Sequence, residues 1–278
     1  MVAKRKFEKH LDIAESAANA ATLLSAESGL SKTVIKQIMK KGAVWLTTTR
    51  GTQRIRRADK HLPQGAVLHL YYDEAVLQQQ PAAAELIADE GDYSVWFKPY
   101  GMLSQGSKWG DHCTIYRWAE QHLTPQRSAF IVHRLDRAAS GLILLAHKKK
   151  SAAKFSRLFH ERKIEKSYQA RVKGRLTETM MLDSELDDKK AISHVMPLTY
   201  DEMHDESVVK VTIETGRKHQ IRRHLAQAGH PIVGDRLYGD AETADKENLV
   251  LVACYLSFSL DEENQKTYQL DSRYCPVP

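Results

Sequence analysis

Residues 131–146 read IVHRLDRAASGLILLA. The second half, GLILLA, is short and continuous in apolar residues, which predicts a buried strand. The first half gathers a histidine, two arginines and an aspartate into five residues at the mouth of that strand. Asp136 is thereby tethered to a rigid element yet presented at its end. Arg134 and Arg137 flank it, and opposite charges nearby favour the charged form of a carboxylate. Spacing alone leaves two readings open. One is a nucleophile or general base toward an anionic polymer; the other is a structural ion pair at a strand end.

The flanking segments extend the pattern. YSVWFKP upstream predicts a strand closed by Pro99 and Gly101. Downstream, SAAKFSRLFHERK predicts a helix with Ser151 as N-cap and Ala152, Phe155 and Phe159 on one face. SYQARVKG alternates and reads as a strand ending at Gly174, and VVKVTIETG reads as another. A helix is expected from Arg217 to Ala228, stopped by Gly229 and Pro231. Strands and helices mix without strict strand–helix alternation, which favours an α+β fold with a largely antiparallel sheet.

A second cluster of chemistry lies in ETGRKHQIRRHLAQAGHPIVGDRLYG, where Arg217, Lys218, Arg222, Arg223 and His224 fall in the first two turns of the expected helix. A helix N-terminus already carries partial positive charge. Five more cations there make sense if an anion is to be bound. A basic surface helix is the plain alternative. His219, His224 and His230 do not have a good helical metal spacing and no cysteine lies near, so no metal is expected.

Net charge locates the partner more sharply than composition does. The chain has 278 residues and a formal charge of +6. Residues 1–80 hold thirteen Lys and Arg against seven Asp and Glu, which accounts for all of it. The remainder is neutral but polarised: 127–175 carries fourteen bases against three acids, and 178–206 nine acids against two bases. This suggests a polyanion partner, and composition alone leaves the alternative of a solvated surface equally open. The longest apolar run has about six residues where a membrane span needs about 20. The basic N-terminus lacks the apolar core of a secretory signal. The odd count of cysteines, Cys113, Cys254 and Cys275, fits a reducing cytoplasm.

Residues 1–28 read as a helical leader, Ala-rich and free of Gly and Pro. Between Ser31 and Lys41, Val34, Ile35, Ile38 and Met39 form an apolar face, with Lys32, Lys36 and Lys40 on another. AVWLTTT and AVLHLYY read as strands around a basic stretch containing Arg54, Arg56, Arg57 and Lys60. A helix with a basic face beside a basic hairpin offers two phosphate-binding edges. AVLQQQPAAAE, residues 75–85, is the linker candidate, which divides the chain into 1–80 and 85–278.

Several of these segments resemble known families. SKTVIKQIMKKGAVWL with the closing LPQGAVLHL resembles the alpha-L RNA-binding module of ribosomal and RNA-modifying proteins. HRLDRAASGLILLA is similar to the catalytic motif of the RluA-type RNA pseudouridine synthases. EKSYQARVKG is similar to the second element of that family, and TGRKHQIRRHLAQAGHPIVGDRLYG to the third. VWFKPYGML resembles its opening strand, with Phe97 where Asn is usual. Ala139 stands where the family has Thr, and LVACYLSF where it has a Leu-His-Ala segment.

The resemblance implies a pseudouridine synthase fold and isomerisation of specific uridines in structured RNA, with ribosomal ahead of transfer RNA. It implies Asp136 as the catalytic aspartate, Tyr168 as the ring packed on the target uracil and a candidate for removing the proton at carbon 5, and Arg222 as the ion-pair partner of Asp136. Ile221 would pack beside Tyr168, and Arg134 would help hold the flipped nucleotide out. Arg217, His219, Lys32, Lys36, Lys40, Arg54 and Arg56 complete the expected RNA-binding set. No cofactor or metal is expected, and the protein should be a cytoplasmic monomer. Whether Asp136 attacks the ribose or abstracts a ribose proton stays open. A catalytically silent RNA-binding or ribosome-associated protein on the same fold is the rival, which the presence of Asp136, Tyr168 and Arg222 disfavours.

Overall fold

The computed structural model describes residues 5–16, 19–239, 246–261 and 264–276. The chain forms two compact units. The first contains residues 1–82 and 105–122, and the second 83–104 and 123–278.

In the first unit, strands β1 (Lys6–Asp12), β2 (Val44–Thr48), β3 (Gly51–Arg54) and β4 (Val67–Asp73) form an antiparallel sheet in the order β1-β4-β2-β3. Helices α1 (Ala20–Ser28) and α2 (Lys32–Lys40) share a core with it, built on Leu24, Ile35, Ile38, Leu46, Leu68 and Leu70. Each helix starts at a side-chain cap: Asn19 accepts from the Thr22 N–H at 3.0 Å, and Ser31 from the Val34 N–H at 3.3 Å. The apolar stripe of α2 faces inward and Lys32, Lys36 and Lys40 are exposed, as the spacing predicts. Short helices α3 (Glu74–Leu77) and α4 (Ile115–His122) complete the unit.

Two expectations fail here. The leader is not helical throughout, because residues 6–12 form β1; residues 1–4 and 17–18 lie outside the described residues. Phe7 and Leu11 alternate with exposed Lys6, Glu8, His10 and Asp12, a period of two that fits a strand paired to β4. Residues 105–122, expected with the C-terminal domain, pack with the first unit. Their anchor is Asp111, 2 % exposed, whose carboxylate takes Arg56 Nη2 at 2.5 Å, Arg54 Nη1 at 3.5 Å and the Tyr116 hydroxyl. Burial opposes its charge, but these partners hold its pKa below the ordinary carboxylate value.

The second unit is a mixed sheet with few helices. Its strands are β5 (Glu85–Asp89), β6 (Tyr93–Lys98), β7 (Phe130–Ile131), β8 (Ser140–Ala146), β9 (Ile164–Lys173), β10 (Met180–Leu182), β11 (Ser193–Asp201), β12 (Glu206–Ile213), β13 (Leu251–Ser259) and β14 (Gln265–Gln269). The path runs β10-β11-β12-β9-β13-β8-β6-β5, with β7 on β8 and β14 on β13. Among the described residues only β8 and β13 pair in parallel. The fold is therefore α+β with a largely antiparallel sheet, as expected. LVACYLSF, which departs from the family pattern, is the central strand β13 between β9 and β8.

Helix α5 (Lys149–His160) buries Phe155 and Leu158 in the core of this unit. Its N-cap is Lys148 rather than Ser151; the Ser151 hydroxyl instead donates to Asp92 Oδ2 at 3.2 Å. Helix α6 (Gln220–Gln227) starts three residues later than expected, because Arg217 and Lys218 belong to the preceding turn and His219 enters the helix at φ 54°.

The strand that follows Asp136 depends on one glycine. Gly141 has φ +113°, and a Cβ there would lie 2.3 Å from the Ala253 carbonyl oxygen of β13. Gly51 has nearly the same φ, +111°, with open space around it. Gly51→Ala is expected to lose only the backbone term, about 1–3 kcal/mol. Gly141→Ala should lose clearly more, because backbone must also move. Thermal denaturation of the two variants side by side checks this; equal losses would show that the close approach to β13 carries no weight.

Candidate active site

Asp136 sits in the loop between β7 and β8, and that loop is tied down on both sides. The Ser104 hydroxyl donates to the Leu135 carbonyl at 2.7 Å and accepts from the Leu135 N–H at 3.0 Å. The Gly101 N–H donates to the Arg137 carbonyl at 2.8 Å, and Arg137 Nε donates to the Gly101 carbonyl at 3.2 Å. The turn after β6 thus grips the residues on either side of Asp136.

Lys98, at the end of β6, is wholly buried and donates to the carbonyls of Ala139 at 2.6 Å, Met102 at 2.9 Å and Pro99 at 3.1 Å. It clamps the loop to the turn. Burial lowers its pKa to about 7 against the opposing pull of Asp136. Ala139, where the family has a hydroxyl residue, contributes through this carbonyl.

The partner of Asp136 comes from α6. Arg222 Nη1 lies 3.6 Å from Asp136 Oδ2, but its tighter bond is to Asp235. Arg222 Nε and Nη2 meet the two Asp235 oxygens at 2.7 and 2.6 Å, a bidentate pair. The Arg222 side chain is 5 % exposed and that of Asp235 is wholly buried, whereas Asp136 is 29 % exposed. Asp235 also accepts the N–H groups of Leu237 and Tyr238 at 2.9 and 3.2 Å. Burial would raise its pKa, but these donors hold it below the ordinary value.

Asp235 reaches this place because residues 231–233 run beside β9: Lys173 N–H meets the Pro231 carbonyl and Val233 N–H the Arg171 carbonyl. Gly234 then turns at φ +75°, where a Cβ would lie 2.3 Å from the Asn248 carbonyl oxygen. The Gly-Asp of PIVGDRLYG is thus a positioning device. Its aspartate is not one of the expected site residues, although it lies inside a segment that resembles the family.

His219 lies closer to Asp136 than an RNA-contact role requires. Its Nε2 is 3.9 Å from Asp136 Oδ1, and its Nδ1 is 3.0 Å from the Tyr238 hydroxyl. Burial lowers its pKa, opposed by Asp136. Tyr168, on β9, is 7 % exposed. Burial, and then the charge of Asp136, push its phenol above the ordinary value, so it stays neutral at physiological pH.

The remaining candidates divide. Ile221 is buried on α6 and Arg134 is exposed in the Asp136 loop. Arg217 is partly spent on the fold, with Nε donating to the Lys190 carbonyl at 3.0 Å. The anion cradle expected at α6 does not form as a set. Arg222 and His224 are buried, with His224 bonded to Ser193 and Ser184, and Arg223 pairs with Asp187. In the first unit Arg54 and Arg56 point inward, to Asp111 and to the carbonyls of Gly42, Ser107 and Lys40. Among the described residues no group of three or more His, Cys, Asp or Glu is placed to hold a metal, and no helix is long and apolar enough to cross a membrane.

Comparison with known proteins decides the family. A family model described as RNA pseudouridylate synthase matches residues 92–227. The tRNA pseudouridine synthase C of Vibrio parahaemolyticus is 30 % identical over 212 residues, 64 % of this chain and 85 % of its own length. The chain belongs to the RNA pseudouridylate synthase family. Its enzymatic class is RNA pseudouridine synthase, an isomerase of RNA modification. The tRNA pseudouridine synthase C of Haemophilus ducreyi is 33 % identical, covering 61 % of this chain and 82 % of its own. An uncharacterized RNA pseudouridine synthase of Aquifex aeolicus is 28 % identical over 85 % of this chain and 84 % of its own. The fold is shared with human RNA pseudouridylate synthase domain containing 1, at TM-score 0.59 and 21 % identity over 69 % of this chain and 86 % of that one.

The two aspartates should respond differently to truncation. Asp235→Ala leaves Arg222 buried without its bidentate partner, an expected loss of about 3–5 kcal/mol. Asp136→Ala, at a partly exposed and longer contact, should change stability by no more than about 1 kcal/mol. Urea denaturation of both variants is the measurement. A small loss at Asp235 would mean that Arg222 finds Asp136 as an equal partner.

Proposed function

We propose that Asp136 is the reacting carboxylate of an RNA pseudouridine synthase acting on uridines in structured RNA. The reaction breaks the N-glycosidic bond, turns the base and rejoins it through carbon 5, an isomerisation with no net redox change. The observation that carries the assignment is the position of Asp136: partly open to solvent, held on a loop tied at both sides, and 3.6 Å from a guanidinium that Asp235 fixes. A carboxylate in fixed geometry beside a fixed cation suits attack on the ribose or removal of a ribose proton, since the cation stabilises the carboxylate whenever it leaves.

Tyr168 supplies the ring against the uracil. As a neutral phenol it takes the proton from carbon 5 only if its own hydroxyl proton passes in the same step to an acceptor, and the carboxylate of Asp136, whose charge bears on Tyr168, fills that role once the new bond to carbon 5 has freed it. Ile221 lines the same site, and Arg134, exposed beside Asp136, helps hold the extruded nucleotide out of its stack, at a cost of a few kcal/mol. The first unit is the alpha-L-like RNA-binding module, and its affinity comes from the exposed face of Lys32, Lys36 and Lys40. Arg54 and Arg56 serve to hold residues 105–122. Ribosomal RNA is the substrate class suggested by that module, while two of the relatives described above carry transfer RNA in their names. The protein works as a cytoplasmic monomer without a cofactor.

Mapping pseudouridines in ribosomal and transfer RNA, with and without the protein, identifies the substrate class. Asp136→Asn is expected to abolish every site that depends on the protein while leaving RNA affinity within about twofold, since removing a negative charge does not weaken phosphate binding. A rate near that of the parent would remove Asp136 from the chemistry.

Replacing Lys32, Lys36 and Lys40 together by alanine should flatten the slope of log affinity against log salt by roughly 0.7–0.9 for each phosphate no longer neutralised. The rate at saturating RNA should not change. A salt titration with single-turnover rates checks both, and an unchanged slope would place RNA on another face of the unit.

A further inference from the structure

Lys166 is a cation without a counter-charge. Among the described residues its ammonium has no hydrogen bond and no ion pair, and its one described contact is the ring of Phe159, 5.3 Å away. Neither Asp136 nor the acids near Lys166 in sequence, Glu161 and Glu165, answers its charge. Asp136 faces Arg222 and His219, Glu161 pairs with Lys163 at 2.8 Å, and Glu165 is exposed. Residues 165 and 166 point to opposite faces of β9. On the Lys166 side, the cross-strand neighbour on β13 is Leu256. His133 stacks on the same Phe159 ring, with centroids 4.5 Å apart. His133 offers no negative charge and no positive one either. It accepts the Leu144 N–H at Nε2, and burial, then Lys166 itself, lower its pKa to about 3.

An ammonium in such surroundings is disfavoured, since a desolvated charge needs a partner. Burial lowers the Lys166 pKa to about 8. A methionine of similar length would fill the same space beside Phe159 without that penalty. Lys166 nonetheless keeps part of its surface open. It also stands two residues from Tyr168 on the same face of β9, roughly 6.6 Å along a strand that rises about 3.3 Å per residue. The two side chains therefore leave the same face of the strand as neighbours, within reach of one nucleotide.

We infer that Lys166 binds a backbone phosphate of the RNA at the nucleotide whose base lies on Tyr168. The inference rests on the assignment of Tyr168 to the target uracil and adds the anion that completes the pocket. In the free enzyme the cation is held unsatisfied; in the complex the phosphate neutralises it. The contact is independent of sequence, and it fixes the register of the extruded nucleotide along β9.

The test uses the full-length protein. Lysine acylation by acetic anhydride, read by peptide mass spectrometry, should label Lys166 readily in the free protein. An unmodified tRNA transcript or a ribosomal RNA fragment should slow that labelling by about tenfold, the effect of one charged hydrogen bond. Lys166→Met should melt at a higher temperature than the parent yet bind RNA about tenfold more weakly, with the salt slope reduced by roughly 0.7–0.9. Lys166→Arg should restore the affinity. Lys166 unreactive in the free protein, unprotected by either RNA, or replaceable by Met with unchanged affinity and slope would each overturn the proposal. Should Lys166→Met fail to fold, the labelling of the parent decides. Pseudouridine formation with Lys166 unprotected sinks this contact alone. Protection without pseudouridine formation in either RNA would show an RNA phosphate at Lys166 but no target nucleotide on Tyr168, and would overturn the assignment on which the proposal rests.

Discussion

A guanidinium cannot stay inside a protein unless its charge is answered, and Arg222 is answered from two directions. Asp235 takes it in a bidentate grip in full burial, and Asp136 meets the remaining nitrogen from the partly open side. The first contact fixes the second. Because Asp235 holds two of the three guanidinium nitrogens, the position of the cation relative to Asp136 is set by the fold. For the proposed reaction this amounts to electrostatic preorganisation. The surroundings serve it: residues 231–233 laid along β9, the close turn at Gly234, and Lys98 closing the loop from beneath through three carbonyls.

The same requirement separates two sets of basic residues in the chain. Arg54, Arg56, Arg222 and Arg223 are committed to carboxylates within their own units. Lys32, Lys36 and Lys40 stay on an exposed face. Planar guanidinium suits fixed, multi-toothed bonds, and the flexible ammonium suits a mobile polyanion. Net charge counts both sets alike, so it does not reveal that the arginines of the hairpin already have a carboxylate partner in Asp111.

Much of the second unit is legible in the sequence because its chemistry sits in contiguous motifs. The Asp136 loop before β8, Tyr168 on β9 and Arg222 on α6 all lie where local pattern places them. What escapes a linear reading depends on three-dimensional partners. Asp235 lies thirteen residues from Arg222, and nothing in the spacing says which of two aspartates takes the guanidinium. His219 is read from the sequence as an RNA contact, and its place 3.9 Å from Asp136, on a left-handed backbone, is not visible there. β1 is hidden because an Ala-rich stretch follows it closely and dominates a helical reading. Ser151 has the chemistry of a cap, but Asp92 holds its hydroxyl and the helix begins earlier.

The attachment of residues 105–122 to the first unit has a consequence for how such a chain can be assembled or taken apart. The polypeptide leaves the first unit, enters the second, returns and leaves again, so neither unit is a continuous stretch. Cutting after residue 80 would strand Asp111, a buried carboxylate, without Arg54 and Arg56. Grafting the N-terminal stretch onto a different enzyme would likewise supply the arginines without their acid. Gly42 adds a steric condition, since a Cβ there would fall 2.1 Å from Asp111 Oδ1. The two segments of this unit therefore have to be kept together for Asp111 to keep its partners.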